Sequence, residues 1–291
     1  MTLYSSESEL YAFQQHGTMT LWDDVPSEPQ VYHRFDLMAG AVAVPLLLWL
    51  PEKRGEVLTI LFNGAVQRAA GKNPHDVFQR RTWVDDIDGP CLFVSDPTLS
   101  TRNSLAIGWG QGESGIFAIP AMHMAVDRVA SALGFPSQHR LYFGSSAGGF
   151  QALQLAIRDR GSRALVNNPQ TDWLKYSVSS SVRALRAFTY KGASSEFVRT
   201  KFEGRCSISA AAREYDNWPP VRYLVNGASA DDVRVHLNAF MRGYSDASGP
   251  TGRATVEVEM YHSPALGHNP LPRARTIDEL RTFRSRIGDG R

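Results

Sequence analysis

The residues Gly144-Ser145-Ser146-Ala147-Gly148 set a serine between two glycines in the pattern GxSxG. A serine hydroxyl is a weak nucleophile until a neighbouring base takes its proton. The five-residue pattern arises readily by chance, and it carries weight only between a strand and a helix. That context is present. Leu141-Tyr142-Phe143 before it is apolar and β-prone, and Phe150, Leu153 and Ile157 after it share one helical stripe. A nucleophile on so sharp a turn needs an unusual backbone, so its neighbours two positions away must be tiny, as Gly144 and Gly148 are. Gly149 and Ala152 let the helix lie close to the strands. Ser146 would then stand at a helix N-terminus, where amide groups and the dipole favour developing negative charge. Ser145 is the alternative nucleophile, but its register lacks the flanking glycines. The bland alternative is a glycine-rich helix entry without chemistry.

This strand–GxSxG–helix unit resembles the nucleophile elbow of the α/β-hydrolase superfamily. The resemblance implies partners in the chain order serine, acid, histidine. His268, in Leu266-Gly267-His268-Asn269-Pro270, follows the last expected strand, where a base must hang to reach the elbow. His262, at the end of that strand, is second choice. The acid is expected after the strand Pro219–Asn226, where Asp231 and Asp232 are adjacent. One carboxylate would orient the imidazole while the other capped the helix starting near Val233. Asp231 is favoured for the triad and Asp232 for the cap. Asp172 is a rival one strand earlier. Two backbone amides should face the developing oxyanion. One belongs to Ala147. The other is expected from Asn63-Gly64-Ala65, where Gly64 allows a sharp turn and the Ala65 N–H would point inward. Many hydrolases carry His-Gly here and this chain has Asn-Gly, which also reads as an ordinary turn.

The positioning elements follow from periodicity. Residues 1–29 are polar and end in Pro26 and Pro29, which reads as an irregular arm before a domain spanning 30–291. Gln30–Leu37 alternates like an edge strand. Ala43–Leu50, Glu56–Phe62, Pro90–Val94, His139–Phe143, Ala164–Asn167, Pro219–Asn226 and Thr255–Tyr261 read as further strands. A short helix is expected around Pro74–Arg81, and a long Gly/Ser-rich loop over 97–118. Longer helices are expected at Pro120–Leu133, Ala147–Asp159, Asp232–Gly243 and Thr276–Arg286. Strand alternating with helix predicts an α/β fold: a mostly parallel, doubly wound sheet covered on both faces. Residues 171–218 break the alternation and are expected as a helical cap insertion.

Composition bounds the rest. The 291 residues are 43% hydrophobic and 21% charged, with a formal net charge of +2, which suggests no nucleic-acid partner. The longest apolar run, Ala39 to Leu50, contains Pro45 and is too short to span a bilayer. No signal-peptide pattern opens the sequence, so a cytoplasmic location is expected. Of the two cysteines, Cys91 sits in the apolar run Cys91-Leu92-Phe93-Val94. Neither a disulfide framework, nor a metal site, nor a cofactor is expected.

Further strings, Leu61-Phe62-Asn63-Gly64-Ala65, Phe78-Gln79-Arg80-Arg81-Thr82-Trp83, Ser95-Asp96-Pro97-Thr98-Leu99, Gly108-Trp109 and Asn168-Pro169-Gln170-Thr171-Asp172, are similar to hydrolase-like proteins of bacterial surface-glycan and accessory-secretion systems. That resemblance implies a small-molecule or glycan ester as substrate and an esterase or acyltransferase as activity. The rivals are a catalytically silent binding or assembly protein and a peptidase of the same fold. Arg183, Arg186 and Lys191 in the cap could meet an anionic substrate or simply be solvated. Trp109 and Trp173 could stack on a sugar or pack internally. The sequence leaves the oligomeric state open.

Overall fold

The computed structural model describes residues 13–247 and 255–288. One nine-stranded sheet organises them, in the order β1-β2-β3-β5-β4-β6-β7-β8-β9. The strands are β1 (Phe13–Thr20), β2 (Tyr32–Ala39), β3 (Val42–Trp49), β4 (Leu58–Phe62), β5 (Cys91–Val94), β6 (Arg140–Ser145), β7 (Arg163–Asn167), β8 (Val221–Asn226) and β9 (Val256–Tyr261). Only the β2–β3 and β3–β5 pairings are antiparallel. From β5 through β4 and on to β9 every pairing is parallel.

Two expectations fail at the N-terminal side. Part of the expected irregular arm is strand: β1 pairs with β2 in parallel, although residues 1–12 lie outside the described set. The reason it escapes a period-two reading is a bulge. The register jumps between Gln15 and Gly17, so His16 opposes no residue and the alternation is broken. As a consequence β2 is an inner strand rather than an edge, and six of its eight residues are buried.

Inner parallel strands are covered on both faces, and their side chains divide between two cores. On one face Tyr142 of β6 and Ile60 and Phe62 of β4 pack under α1 (Ala118–Ala132) and α2 (Ala147–Arg158). On the other, Leu141 and Phe143 meet Ile277, Leu280 and Phe283 of α8 (Arg273–Gly288). Residues 171–218 hold a 3-10 turn at Trp173–Lys175 and four α-helices: α3 (Ser179–Thr189), α4 (Ser195–Lys201), α5 (Glu203–Cys206) and α6 (Ile208–Glu214). Helix α6 packs on α2 and on α7 (Asn238–Ala247). The end of α3 is tied to the long loop before α1, where Thr189 Oγ1 donates to the Gly112 carbonyl at 2.7 Å and Tyr190 Oη donates to Gln111 Oε1 at 2.6 Å. Around Pro74–Arg81, where a short helix is expected, two single-turn 3-10 helices form, at Pro74–Asp76 and Arg81–Trp83.

The segments that follow β4, β6, β7, β8 and β9 carry Asn63, Ser146, Asn168, Asp232 and His268 respectively, Asp232 in the first turn of the helix after β8. All leave the carboxyl ends of parallel strands, the place where open α/β sheets gather their ligands.

Candidate active site

Ser146 joins β6 to α2 with φ 55° and ψ −124°, a conformation that costs a non-glycine residue energy. Three hydrogen bonds hold it there. Its N–H donates to the Asn167 carbonyl at 3.1 Å, and its carbonyl accepts from the amides of Phe150 at 3.2 Å and Gln170 at 3.1 Å. The flanking glycines are required by contact. A Cβ on Gly148 would lie 2.8 Å from the carbonyl oxygens of both Phe62 and Asn63, and one on Gly144 would collide with the Gly148 backbone. The helix start therefore sits directly against the end of β4.

His268 Nε2 lies 2.8 Å from Ser146 Oγ, and its Nδ1 lies 2.8 Å and 2.9 Å from the two carboxylate oxygens of Asp232. A carboxylate only accepts, so Nδ1 carries the proton and Nε2 is left to accept from the serine hydroxyl. This corrects the expected division between the two acids. Asp232, not Asp231, meets the imidazole. The helix begins earlier than the sequence suggested, with residues 230 and 231 already helical, so Asp232 lies inside its first turn rather than at its cap. The Asp232 side chain is 2% exposed, whereas Asp231 faces solvent and makes no side-chain cap bond. The turn is also wide, a π-type segment over Asp232–Leu237, a form that recurs at functional sites.

The other candidates are elsewhere. Asp172 is buried in the insertion, 3.0 Å from Arg199 and 3.9 Å from Lys175, and so fixes α4 to the loop after β7. His262 is exposed. Ser145 Oγ accepts from Arg80 at 2.6 Å.

The histidine loop is held by asparagines at the ends of β7 and β8, which the sequence reading did not single out. Asn168 Nδ2 donates to the His268 carbonyl at 3.1 Å, while its Oδ1 accepts from the Asn226 amide at 2.8 Å. Asn226 Nδ2 donates to the carbonyls of Ser263 and Gly267, each at 2.8 Å. Asn167 Oδ1 accepts from the Leu271 amide at 2.7 Å. All three asparagines are at most 1% exposed. Buried amides at strand ends were the available sequence signal, because such groups persist only when bonded.

Gly64 stands beside Ser146; a Cβ there would be 3.8 Å from the Ser146 Cβ. Its own N–H is used, donating to Gln79 Oε1 at 2.9 Å. Gly64 therefore offers close approach rather than a free amide. The Ala147 amide belongs to the first residue of α2, where no intrahelical acceptor exists. The Ala65 amide meets no acceptor among the described residues.

Trp109 and Trp173 are fully buried and stacked on each other, with ring centroids 5.8 Å apart. Neither has a face left for a sugar. Tyr176, half-buried, is the aromatic ring beside the imidazole, with centroids 6.4 Å apart. Arg183 and Lys191 are exposed. Among the described residues no group of three or more His, Cys, Asp or Glu side chains could hold a metal ion, and no helix is long and apolar enough to cross a membrane.

No protein-family model and no curated protein matches the sequence. Solved structures do. The capsule O-acetyltransferase of Neisseria meningitidis serogroup A superposes with a TM-score of 0.63 at 12% identity, covering 90% of this chain and 98% of that one. Carboxyl esterase 2 of Tuber melanosporum gives 0.59 at 14% identity, covering 90% and 87%. A putative dipeptidyl aminopeptidase IV from Bacteroides ovatus gives 0.62 at 14% identity, covering 89% of this chain but 35% of that one. The chain has the α/β-hydrolase fold.

Proposed function

We propose that the chain is a serine esterase or acyltransferase working through an acyl-enzyme on Ser146. The observation that supports the reading most is the unbroken relay Ser146 Oγ, His268 Nε2, His268 Nδ1, Asp232. In this mechanism Ser146 Oγ attacks an ester carbonyl as its proton passes to His268 Nε2. Asp232 holds the tautomer and stabilises the imidazolium. The carbonyl oxygen becomes an oxyanion facing the amides of Ala147 and Ala65. Collapse expels the alkoxide, which takes the proton from Nε2 and leaves the acyl group on Oγ. Water or a sugar hydroxyl then attacks the acyl carbon, giving its proton to Nε2, and the second tetrahedral intermediate collapses by breaking its bond to Ser146 Oγ, which takes that proton back. The acceptor decides between hydrolysis and transfer.

Among substrate classes we favour a small or carbohydrate O-acyl ester. The likeness to a capsule O-acetyltransferase and a carboxyl esterase over nearly the whole length of each supports this choice. The peptidase reading has weaker support, since the matched portion is only 35% of that longer chain.

The test is turnover of p-nitrophenyl acetate and of a peracetylated monosaccharide. Wild-type protein should release acetate from both, with a burst of nitrophenol equal to the enzyme concentration if deacylation is slow. Ser146→Ala and His268→Ala should each lose at least about 10³-fold in kcat. Equal rates in wild type and Ser146→Ala would overturn the proposal.

A further inference from the structure

The segment Phe78-Gln79-Arg80 lies in a polar connection to which the reaction above gives no role. Yet Gln79 is bonded on all sides to the loop that follows β4. Its backbone N–H donates to Asn63 Oδ1 at 2.8 Å. Its side-chain Oε1 accepts from the Gly64 amide at 2.9 Å, and its Nε2 donates to the Ala65 carbonyl at 2.8 Å. Asn63 completes the attachment by donating from Nδ2 to the Val77 carbonyl at 2.6 Å. Four hydrogen bonds thus fasten three consecutive residues, Asn63, Gly64 and Ala65, to Val77 and Gln79.

The clamp is selective about what it leaves unbound. It takes the Gly64 N–H and the Ala65 C=O, the groups on either side of the Ala65 amide in the chain. With both flanking peptides held, the Gly64–Ala65 peptide can turn only by opposed changes of Gly64 ψ and Ala65 φ, which restrains the direction of the Ala65 N–H. The next residue, Arg80, sits at φ 67° and donates from Nη2 to Ser145 Oγ at 2.6 Å, with its guanidinium over the Phe143 ring. The same short segment therefore reaches both the β4 loop and the residue before the nucleophile. Asn63 in this chain serves as a polar anchor for the clamp, which gives a physical reason for asparagine before Gly64.

We propose that Gln79 is a positioning residue that aims the Ala65 amide at the oxyanion, deepening the proposed function and resting on it. Oxyanion donors act on charge that develops only in the transition state, so their misalignment lowers kcat while leaving KM nearly unchanged. Small displacements are enough, since a 1 Å error in a reacting geometry can cost on the order of 10²-fold.

Two variants test this. Gln79→Met keeps the length and removes both side-chain hydrogen bonds. Gln79→Glu keeps the acceptor for Gly64 but sets a carboxylate against the Ala65 carbonyl; protonating that carboxylate restores a donor. With p-nitrophenyl acetate, Gln79→Met should lose about 10- to 100-fold in kcat with KM within about twofold of wild type. Its affinity for phenylboronic acid, which forms a tetrahedral adduct on the serine, should fall by a similar factor. The ratio of Gln79→Glu to wild-type activity should rise as the pH falls through the carboxylate range. A general folding defect would move KM, kcat and the melting temperature without producing that pH-dependent rescue. Unchanged kcat and boronate affinity in both variants, with an active wild type, would overturn the clamp alone. An inactive wild type that fails to bind phenylboronic acid would instead overturn the reading of the site itself.

Discussion

At the residue scale two adjacent aspartates have opposite surroundings. Asp232 is buried against His268 Nδ1 and Asp231 faces solvent. Asp232→Asn would let the imidazole adopt the wrong tautomer, and kcat should fall by about 10³- to 10⁴-fold. Asp231→Asn should stay within about twofold of wild type in the same assay; the reverse pattern would reassign the acid. The sequence favoured Asp231, with Asp232 and Asp172 as rivals, whereas Asp232 is the one that meets the imidazole. The choice depends on where the helix begins, and moving a helix start by one residue turns each side chain by about 100°. The pairing of Ser146 with His268 was legible because a strand precedes the serine, a helix follows it and the histidine comes after the last strand. The asparagines that hold the histidine loop were not, because an asparagine at a strand end reads equally well as a turn former. The thiols give a second residue-scale prediction. Burial pushes both Cys91 and Cys206 up to about 12. Thiolates are the reactive species, so neither should be alkylated by iodoacetamide at pH 7.5 in the folded protein, and both should react in denaturant. Rapid labelling of the folded chain would show that the packing around one of these thiols opens.

At the element scale the elbow depends on how closely α2 approaches β4. Gly148→Ala would force a methyl against two carbonyl oxygens 2.8 Å away. Overpacking of this kind costs about 1–3 kcal/mol, and relief by tilting α2 would also carry Ser146 away from His268. Thermal melting should show the loss of stability, and p-nitrophenyl acetate hydrolysis should fall further than the change in folded fraction explains. A variant with normal melting and normal activity would mean that the helix start has slack. Regular elements were legible where the hydrophobic period ran uninterrupted, as in α2 and β6. They were hidden where it broke. The bulge at His16 masked β1, and the clamp segment after β4 has neither period, since its order comes from polar bonds to a single glutamine and asparagine.

At the scale of the whole molecule, the buried imidazole of His236 links folding to pH. It is 2% exposed, and burial pushes its pKa down to about 4 despite the raising influence of Asp232 and Asp172 nearby. In the unfolded chain it titrates near the ordinary value of 6.5. Between pH 6.5 and 4 the unfolded state therefore binds more protons than the folded one. Its contribution to stability is complete above pH 6.5 and is lost as the pH falls toward 4, by about 3 kcal/mol over the whole window. Denaturant melts across this range should show a steep decline for wild type and a shallower one for His236→Gln. Parallel declines would mean that His236 is solvated at acid pH. The overall architecture was the most legible level of all, because alternating strand and helix leaves a covered parallel sheet as the economical arrangement. The path of residues 171–218 was less so. Its short helices are held by long-range bonds such as Trp173 Nε1 to the Arg205 carbonyl at 3.0 Å, which no local pattern encodes.

We propose Ser146 as the nucleophile, activated by His268 and Asp232. The most direct measurement is reaction with a fluorophosphonate followed by mass mapping of the adduct. One adduct per chain is expected, on the peptide carrying Ser146. It should be absent in Ser146→Ala, slowed at least about 10²-fold in Asp232→Asn and formed at the wild-type rate in Asp231→Asn. A wild-type protein that stays unmodified, or one modified at Ser145, would contradict the account.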